Sequence, residues 1–267
     1  MRNQNVKDAW AYHNSTKHSP ESVRRNVHFL DWANRPLLFK IYPDLAPAPL
    51  PTDTPQSGVA ALSAIATPEV PMHNALPGLQ TLTSLLYFSA GITRRRGEFL
   101  FRAAACTGAL YEVELYVACG ELPDLPAGLY HFNPGDFSLR RLREGDFRGV
   151  IAAASGGELG ALHAPAIVLA TGVYWRNAWK YQARTYRHFG WDNGTLTANL
   201  LAMAAALGLP AKLITGFVDE EINRLLDVDA GREVALSLLA LGHYPAAPPS
   251  PLLTPPLQLD TVPYSKH

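Results

Sequence analysis

The chain has 267 residues, 48% of them hydrophobic and 17% charged. This balance excludes a disordered polymer and allows one large or two small domains that bury roughly three-quarters of their surface. Lys plus Arg equals Asp plus Glu at 23 each, which removes the basic footprint of a nucleic-acid binder and the juxtamembrane charge of a peripheral membrane protein. Two cysteines, Cys106 and Cys119, exclude a disulfide framework and a four-cysteine zinc site. The start MRNQNVKDAW lacks the apolar core of a secretory signal, and no apolar run approaches about 18 residues. A cytoplasmic protein with neither a membrane nor a nucleic-acid partner is expected.

In chain order, helical stretches are predicted from Asn5 to Tyr12 and from Pro20 to Leu30. The segment Tyr42–Pro55 carries five prolines in 14 residues and reads as an extended connector. Leu82, Leu85, Leu86 and Ser89 recur at helical spacing, which predicts a helix over Leu79–Ser89 ended by Gly91. The second half of Gly108–Cys119 reads as a strand. Leu129–Phe132 and Phe137–Leu139, around Asn133–Asp136, read as a hairpin. The apolar run Ala166–Val173 reads as a strand, followed by a helix from Trp175 to His188. A second helix, capped by Asp192 or Asn193 and nearly all apolar or small, runs to Leu207; such a helix is expected to be buried on every side. Strands at Ala211–Phe217 and Glu233–Leu241 flank a short helix at Asp219–Leu226. This order predicts an α+β fold with helices packed on a sheet. The expected organisation is a helical and proline-rich extension (1–56), a main domain (57–245) and a proline-rich arm (246–267), arms that a second subunit could receive.

Two segments are chemically unusual. Tyr174–Arg187 holds Arg176, Lys180, Arg184 and Arg187 and no acid; on one helix these cations form a basic stripe that calls for an anionic counterpart. That counterpart is either a set of facing carboxylates or a bound phosphate or anionic substrate. Gly91–Leu110 places Arg94, Arg95, Arg96 and Arg102 before the small residues Ala103–Gly108, which allow close backbone approach to a flat ligand. It matches neither a phosphate loop nor a dinucleotide fingerprint. No His or Cys spacing supports a metal, Ser155–Gly157 is not a hydrolase elbow, and Cys106 among alanines reads as an inert, buried thiol.

Several stretches in this order resemble the SagB-type dehydrogenases, nitroreductase-fold flavoproteins that oxidise thiazolines and oxazolines in modified peptides. They are Gly91–Arg95, Thr107–Tyr111 with Glu114–Val117, Gly128–His131, Trp179–Arg187, Asn199–Leu209 and Gly216–Phe217. Tyr12–Leu45 resembles the leader region of a subgroup in which some chains carry two such domains. The resemblance covers roughly residues 10–242. It implies a central mixed or antiparallel sheet packed by helices, with FMN at the interface of a homodimer. It sets Arg102, Cys106, Thr107, Gly108, Thr215, Gly216 and Phe217 near the flavin, with Cys106 where serine is common. It also assigns Lys180 and Tyr181 to the chemistry: a lysine among arginines suits a general base, and Tyr181 suits the group that orients or relays the proton.

The phosphate segment of that family, Arg-x-Ser-x-Arg in type, has no counterpart in Thr67–Leu79, which contains no Arg, Lys or Ser. Ala105 and Glu112 stand where prolines are expected. Either the phosphate is held from elsewhere, with Arg94–Arg96 or Arg184 as candidates, or flavin binding is lost. Three functions follow: an FMN-dependent oxidoreductase that dehydrogenates an azoline-type heterocycle, free or in a modified peptide; a general NAD(P)H-dependent nitro or quinone reductase; and a flavin-poor, non-catalytic scaffold subunit.

Overall fold

The computed structural model describes residues 5–25, 28–53, 57–67 and 69–263. Its frame is a seven-stranded, wholly antiparallel sheet in the order β1-β6-β5-β4-β7-β9-β8. The strands are β1 (Pro47–Pro49), β4 (Val113–Cys119), β5 (Gly128–Asn133), β6 (Ser138–Glu144), β7 (Ala166–Val173), β8 (Ala211–Ile214) and β9 (Glu233–Leu241). A separate hairpin of β2 (Ile92–Arg96) and β3 (Phe99–Arg102) stands off the sheet.

Helices cover both faces. On one, α4 (Leu79–Ala90) and α8 (Thr185–Ala206) pack with α3 (Ala61–Ala66) on the outside; on the other lie α5 (Arg148–Ala154), α6 (Leu159–His163) and α9 (Asp219–Leu226). The remaining helices are α1 (Val6–Thr16), α2 (Pro20–Arg25) and α7 (Tyr174–Tyr181). The predicted spacing of α4 is what the fold uses: Leu82, Leu85 and Leu86 are fully buried, each contributing about 1.5–3 kcal/mol. Gly91 closes the helix because its N–H reaches the carbonyls of Leu86 and Tyr87, both at 3.0 Å. A Cβ there would meet the Tyr87 backbone at 2.7 Å. β7 and β4 are buried along their whole lengths; β7 accordingly reads as a nearly continuous apolar run, whereas β4 carries the buried Glu114 within it.

The largest departure from expectation lies between Trp175 and Leu207. The break falls at Gln182, in left-handed backbone (φ 50°), followed by a 3₁₀ turn over Gln182–Arg184. From Thr185 the chain then runs as one helix through Asp192 to Ala206. The amino-terminal segment holds the break: Tyr12 donates its O–H to the Ala183 carbonyl (2.9 Å), and the Gln182 amide lies 3.1 Å from His28. Asp192 is therefore mid-helix and caps nothing. α8 is also not buried on every side, since Trp191 is 55% exposed and Gly190, Gly194 and Ala198 are open to solvent.

Smaller differences follow the same logic. α1 runs on to Thr16, and residues 28–30 are not helical; positions 26 and 27 of the predicted second helix lie outside the described residues. The proline connector is extended, as expected, yet Pro47–Pro49 also pairs with Ser138–Arg140 as an edge strand; its last positions, 54 and 55, are not described. β8 stops at Ile214. The β2–β3 hairpin, α3, α5 and α6 had no signal in the reading of the sequence.

Candidate active site

The amino-terminal end of β4 gathers the small-residue loop, α7 and α8. Gly108, Ala109 and Tyr111 have φ of 65°, 53° and 54°, so three residues in four occupy the left-handed region that ordinarily costs a non-glycine residue about 1–2 kcal/mol. Gly108 needs its missing side chain: a Cβ would lie 2.6 Å from the Tyr181 hydroxyl. Tyr181 in turn meets His188 edge-on at 4.6 Å.

The loop is fixed from beneath by carboxylates. Asp192 accepts the Thr107 N–H and O–H, each at 2.9 Å. The Cys106 thiol donates to Glu112 (3.1 Å), lies 3.3 Å from Asp192, and accepts the Tyr111 N–H (3.0 Å). Burial and the two carboxylates push the thiol far up, so it stays protonated and is no nucleophile. Burial, then Asp192 beside it, pushes Glu112 up to about 8. One Glu112 oxygen is buried without a hydrogen-bond partner, as expected of an acid that keeps its proton. Burial first, then Cys106, Asp192 and Glu112, raises Tyr181 as well, leaving it a neutral phenol. Cys106, Glu112 and Asp192 offer ligand atoms within 4.8 Å of one another.

Lys180 opens onto a cleft of about 280 Å³ that it shares with Gly108–Leu110. Trp32, Trp179, Phe99 and Phe101 supply aromatic walls, and Arg35 and Glu98 the other charges. Trp32 and Trp179 meet edge-on at 5.3 Å, and Trp179 donates its indole N–H to the Asp31 carbonyl (2.7 Å). The amino-terminal segment thus builds one side of the cleft and the β2–β3 hairpin another.

The basic stripe does not exist as a single surface, because the helix breaks inside it. Arg176 is fully buried and pairs with Glu114 (2.6 Å) and the Tyr111 carbonyl (2.8 Å). Arg184 donates to the Thr16 carbonyl, and Arg187 to Thr16 Oγ1 (2.9 Å) and the His13 carbonyl (2.7 Å). The expected anionic counterpart is therefore Glu114 together with the C-terminus of α1, whose last carbonyls and dipole favour cations. Lys180 alone of the four faces the cleft, its Nζ 5.4 Å from the Tyr181 ring.

The other residues expected near a cofactor are dispersed. Arg102 is half-buried, donates to the Leu38 carbonyl (2.6 Å) and stacks over Tyr111 at 4.8 Å; burial brings it down to about 10. Arg94 is exposed on β2 over Phe101. Thr215 and Gly216 are exposed beyond β8, and Phe217 packs on the α5–α9 side. Thus Cys106, Thr107, Gly108, Lys180 and Tyr181 gather around one loop, with Gly108 and Lys180 lining the cleft, and Arg102 lines a small pocket beside Cys106, Tyr111 and Asp192; Arg94, Arg184 and Thr215–Phe217 line neither. Sequence reasoning missed Glu112 and Asp192 as the loop's supports. The available signal was that Asp192 is the sole acid in an otherwise uncharged or basic 22-residue helix.

The nitroreductase family model matches residues 102–243, more than half of the chain, and the chain belongs to that family. Its members are flavin oxidoreductases that typically bind FMN and are typically dimers. A Methanocaldococcus jannaschii protein assigned as a nitroreductase is 27% identical over 165 residues, covering 62% of this chain and 80% of that one. A nitroreductase-type crystal structure from Anabaena variabilis is 31% identical with a TM-score of 0.74, covering 87% of this chain; this chain spans only 45% of that protein. A chain of the E. coli microcin synthetase complex, solved with truncated pro-microcin bound, shares the fold at 17% identity and a TM-score of 0.58, covering 89% of this chain and 92% of that one. The expected α+β nitroreductase-like fold, an antiparallel sheet packed by helices, is the fold observed. Among the described residues no helix is long and apolar enough to cross a membrane.

Proposed function

We propose that the chain is an FMN-dependent oxidoreductase of SagB type that dehydrogenates an azoline-like ring, with Lys180 as base and Tyr181 as its partner. The observation that carries this reading is the cleft itself: Lys180 shares it with the small-residue loop and aromatic walls suited to a flat heterocycle. The flavin ring fits the outer side of that loop, where Ala105, Gly108 and Ala109 are small and exposed and the left-handed backbone keeps them so. Cys106 and Thr107 underlie this platform. Arg94–Arg96 on the exposed hairpin are the cations left for the phosphate, since Arg102 and Arg184 are spent on Leu38 and Thr16. A homodimer, with the open face of α8 as its contact, completes the site as in other members of the family.

FMN, when bound, supplies a two-electron hydride acceptor. Lys180 Nζ takes the proton that leaves the ring carbon, and the neutral Tyr181 hydroxyl donates a hydrogen bond that orients the ring. Trp32, Trp179 and Phe101 give the proton transfer aromatic walls against which a flat ring can lie. Glu112 and Asp192 hold the loop and take no part in the chemistry. Comparison of Lys180→Ala with wild type on an azoline-bearing peptide and on a nitroaromatic with NAD(P)H tests the assignment. Loss on the first alone supports it; equal loss on both favours the general reductase.

The scaffold reading keeps one specific observation: Thr67–Leu79 offers no Arg, Lys or Ser where the family grips phosphate. A colourless chain that takes up no added FMN would establish it.

A further inference from the structure

Three charged side chains line the Lys180 cleft: Arg35, Glu98 and Lys180. Among the described residues none of the three forms an ion pair. Arg176, Arg102 and Arg184, by contrast, are spent on Glu114, Leu38 and Thr16. Lys180 has a task in the proposed reaction, which leaves Arg35 as the permanent charge of the cleft without one. Its place is fixed from both sides. The Asp31 carbonyl accepts the Trp179 indole N–H (2.7 Å) and the Asn34 N–H (3.1 Å), which pins the turn before Arg35 to α7. Beyond it, Pro36 is buried and the Leu38 carbonyl accepts Arg102 (2.6 Å), which pins the chain to β3. The Arg35 side chain itself is exposed, its guanidinium carbon 6.0 Å from the Trp32 ring.

Three features define what Arg35 would recognise. A flat ring lying on Trp32 has this unspent guanidinium within reach, and its planar fork matches a carboxylate. Glu98 is the one acid on the described lining, and it disfavours a second negative charge nearby, so a monoanion fits better than a phosphate. The volume of about 280 Å³ lies at the small end of ligand pockets, with room for one ring and a short substituent.

We propose that Arg35 is a specificity-determining residue of this cleft, and that it selects rings that carry a free carboxylate over neutral rings. The inference rests on the proposed dehydrogenation for the ring, and on the cleft alone for the carboxylate. A heterocycle at the carboxyl end of a peptide and a free ring acid both present that group. The amino-terminal segment thereby contributes to substrate choice as well as to the walls.

Isothermal titration of the full chain, with FMN added, uses thiazole carboxylate and the matching thiazole carboxamide, which differ in charge at nearly constant shape. The carboxylate is expected to bind about five-fold or more tightly than the carboxamide. Arg35→Gln should abolish that preference while changing carboxamide binding by no more than about two-fold, and Arg35→Lys, which keeps the charge but not the fork, should restore part of it. A short peptide ending in the same ring acid should lose affinity in Arg35→Gln as the free acid does, and the tighter of the two in the wild type identifies the source. Arg35 is exposed, so both variants should keep the wild-type melting temperature, measured in parallel. A carboxylate that binds no more tightly than the carboxamide, equal loss of both in Arg35→Gln, or a preference that survives Arg35→Gln overturns the proposal. Flavin bleaching by an azoline reads the dehydrogenation separately, so failure of one assignment is distinguishable from failure of the other.

Discussion

Two carboxyls two residues apart, Glu112 and Glu114, are both essentially inaccessible to water, yet they sit in opposite electrostatic surroundings. Glu114 faces Arg176 (2.6 Å), His131 (2.9 Å) and the Lys40 backbone N–H (2.8 Å). Burial alone would push it up, but Arg176 and then His131 outweigh that and hold it well below the usual carboxylate range. Glu112 meets a thiol and a second carboxylate, and is pushed up to about 8. Depth of burial therefore does not set the charge of a buried acid; its partners do. Glu114 is an ionised strut that ties the amino-terminal segment, β4, β5 and α7 together. Glu112 is a neutral acid beneath the active-site loop.

The largest test converts one environment into the other. Arg176→Met leaves Glu114 buried beside fewer cations and is expected to cost about 3–5 kcal/mol in urea unfolding, most of it recovered in the double variant with Glu114→Gln. A cost below about 1 kcal/mol would show that Arg176 does not neutralise Glu114. The next test uses pH. Glu112 binds its proton more tightly folded than unfolded, so its contribution is full below the ordinary carboxylate range and is lost as pH rises to about 8. Glu114 has the opposite sign: its contribution is full above the ordinary range and is lost as pH falls through its lowered folded value. Glu112→Gln should therefore flatten the alkaline decline and stabilise the chain at pH 9 by roughly 1–3 kcal/mol. An unchanged slope between pH 5 and 9 would mean that Glu112 ionises normally.

Smaller effects sharpen the picture at the loop. Gly108→Ala should cost about 1–2 kcal/mol through its left-handed backbone and its collision with Tyr181. Part of that cost should disappear in a Tyr181→Phe background, because the hydroxyl is the nearest atom; strict additivity would argue against the contact. Lys180→Ala, outside both carboxyl environments, should change stability by no more than about 0.5 kcal/mol.

How much of this could be read from the sequence depends on whether the deciding contact is local. Leu82, Leu85 and Leu86 announce α4 because helical spacing and burial agree, and Gly91 announces its end. The hairpin around Asn133–Asp136 and the apolar run of β7 are legible for the same reason. The break at Gln182 was not, because no glycine or proline marks it; Tyr12 and His28, more than 150 residues away, satisfy the exposed backbone and amide there. Asp192 read as a cap because its partner, Thr107, is 85 residues distant. The basic stripe was visible, but its counterpart, the end of α1 and Glu114, was not. At the site, the family resemblance set Lys180, Tyr181, Cys106, Thr107 and Gly108 together, and they lie around one loop, whereas Arg94, Arg184 and Thr215–Phe217, named with them, lie elsewhere. The supporting acids and the aromatic walls came only with the fold.

The most direct test of the central claim is the absorbance spectrum of the purified full chain, incubated with FMN, desalted, and then mixed anaerobically with an azoline-bearing peptide. The account predicts flavin bands that survive desalting and are bleached by the peptide in the wild type, and bands that survive without bleaching in Lys180→Ala. A chain that emerges colourless, or bleaching that is equally fast without Lys180, would contradict it.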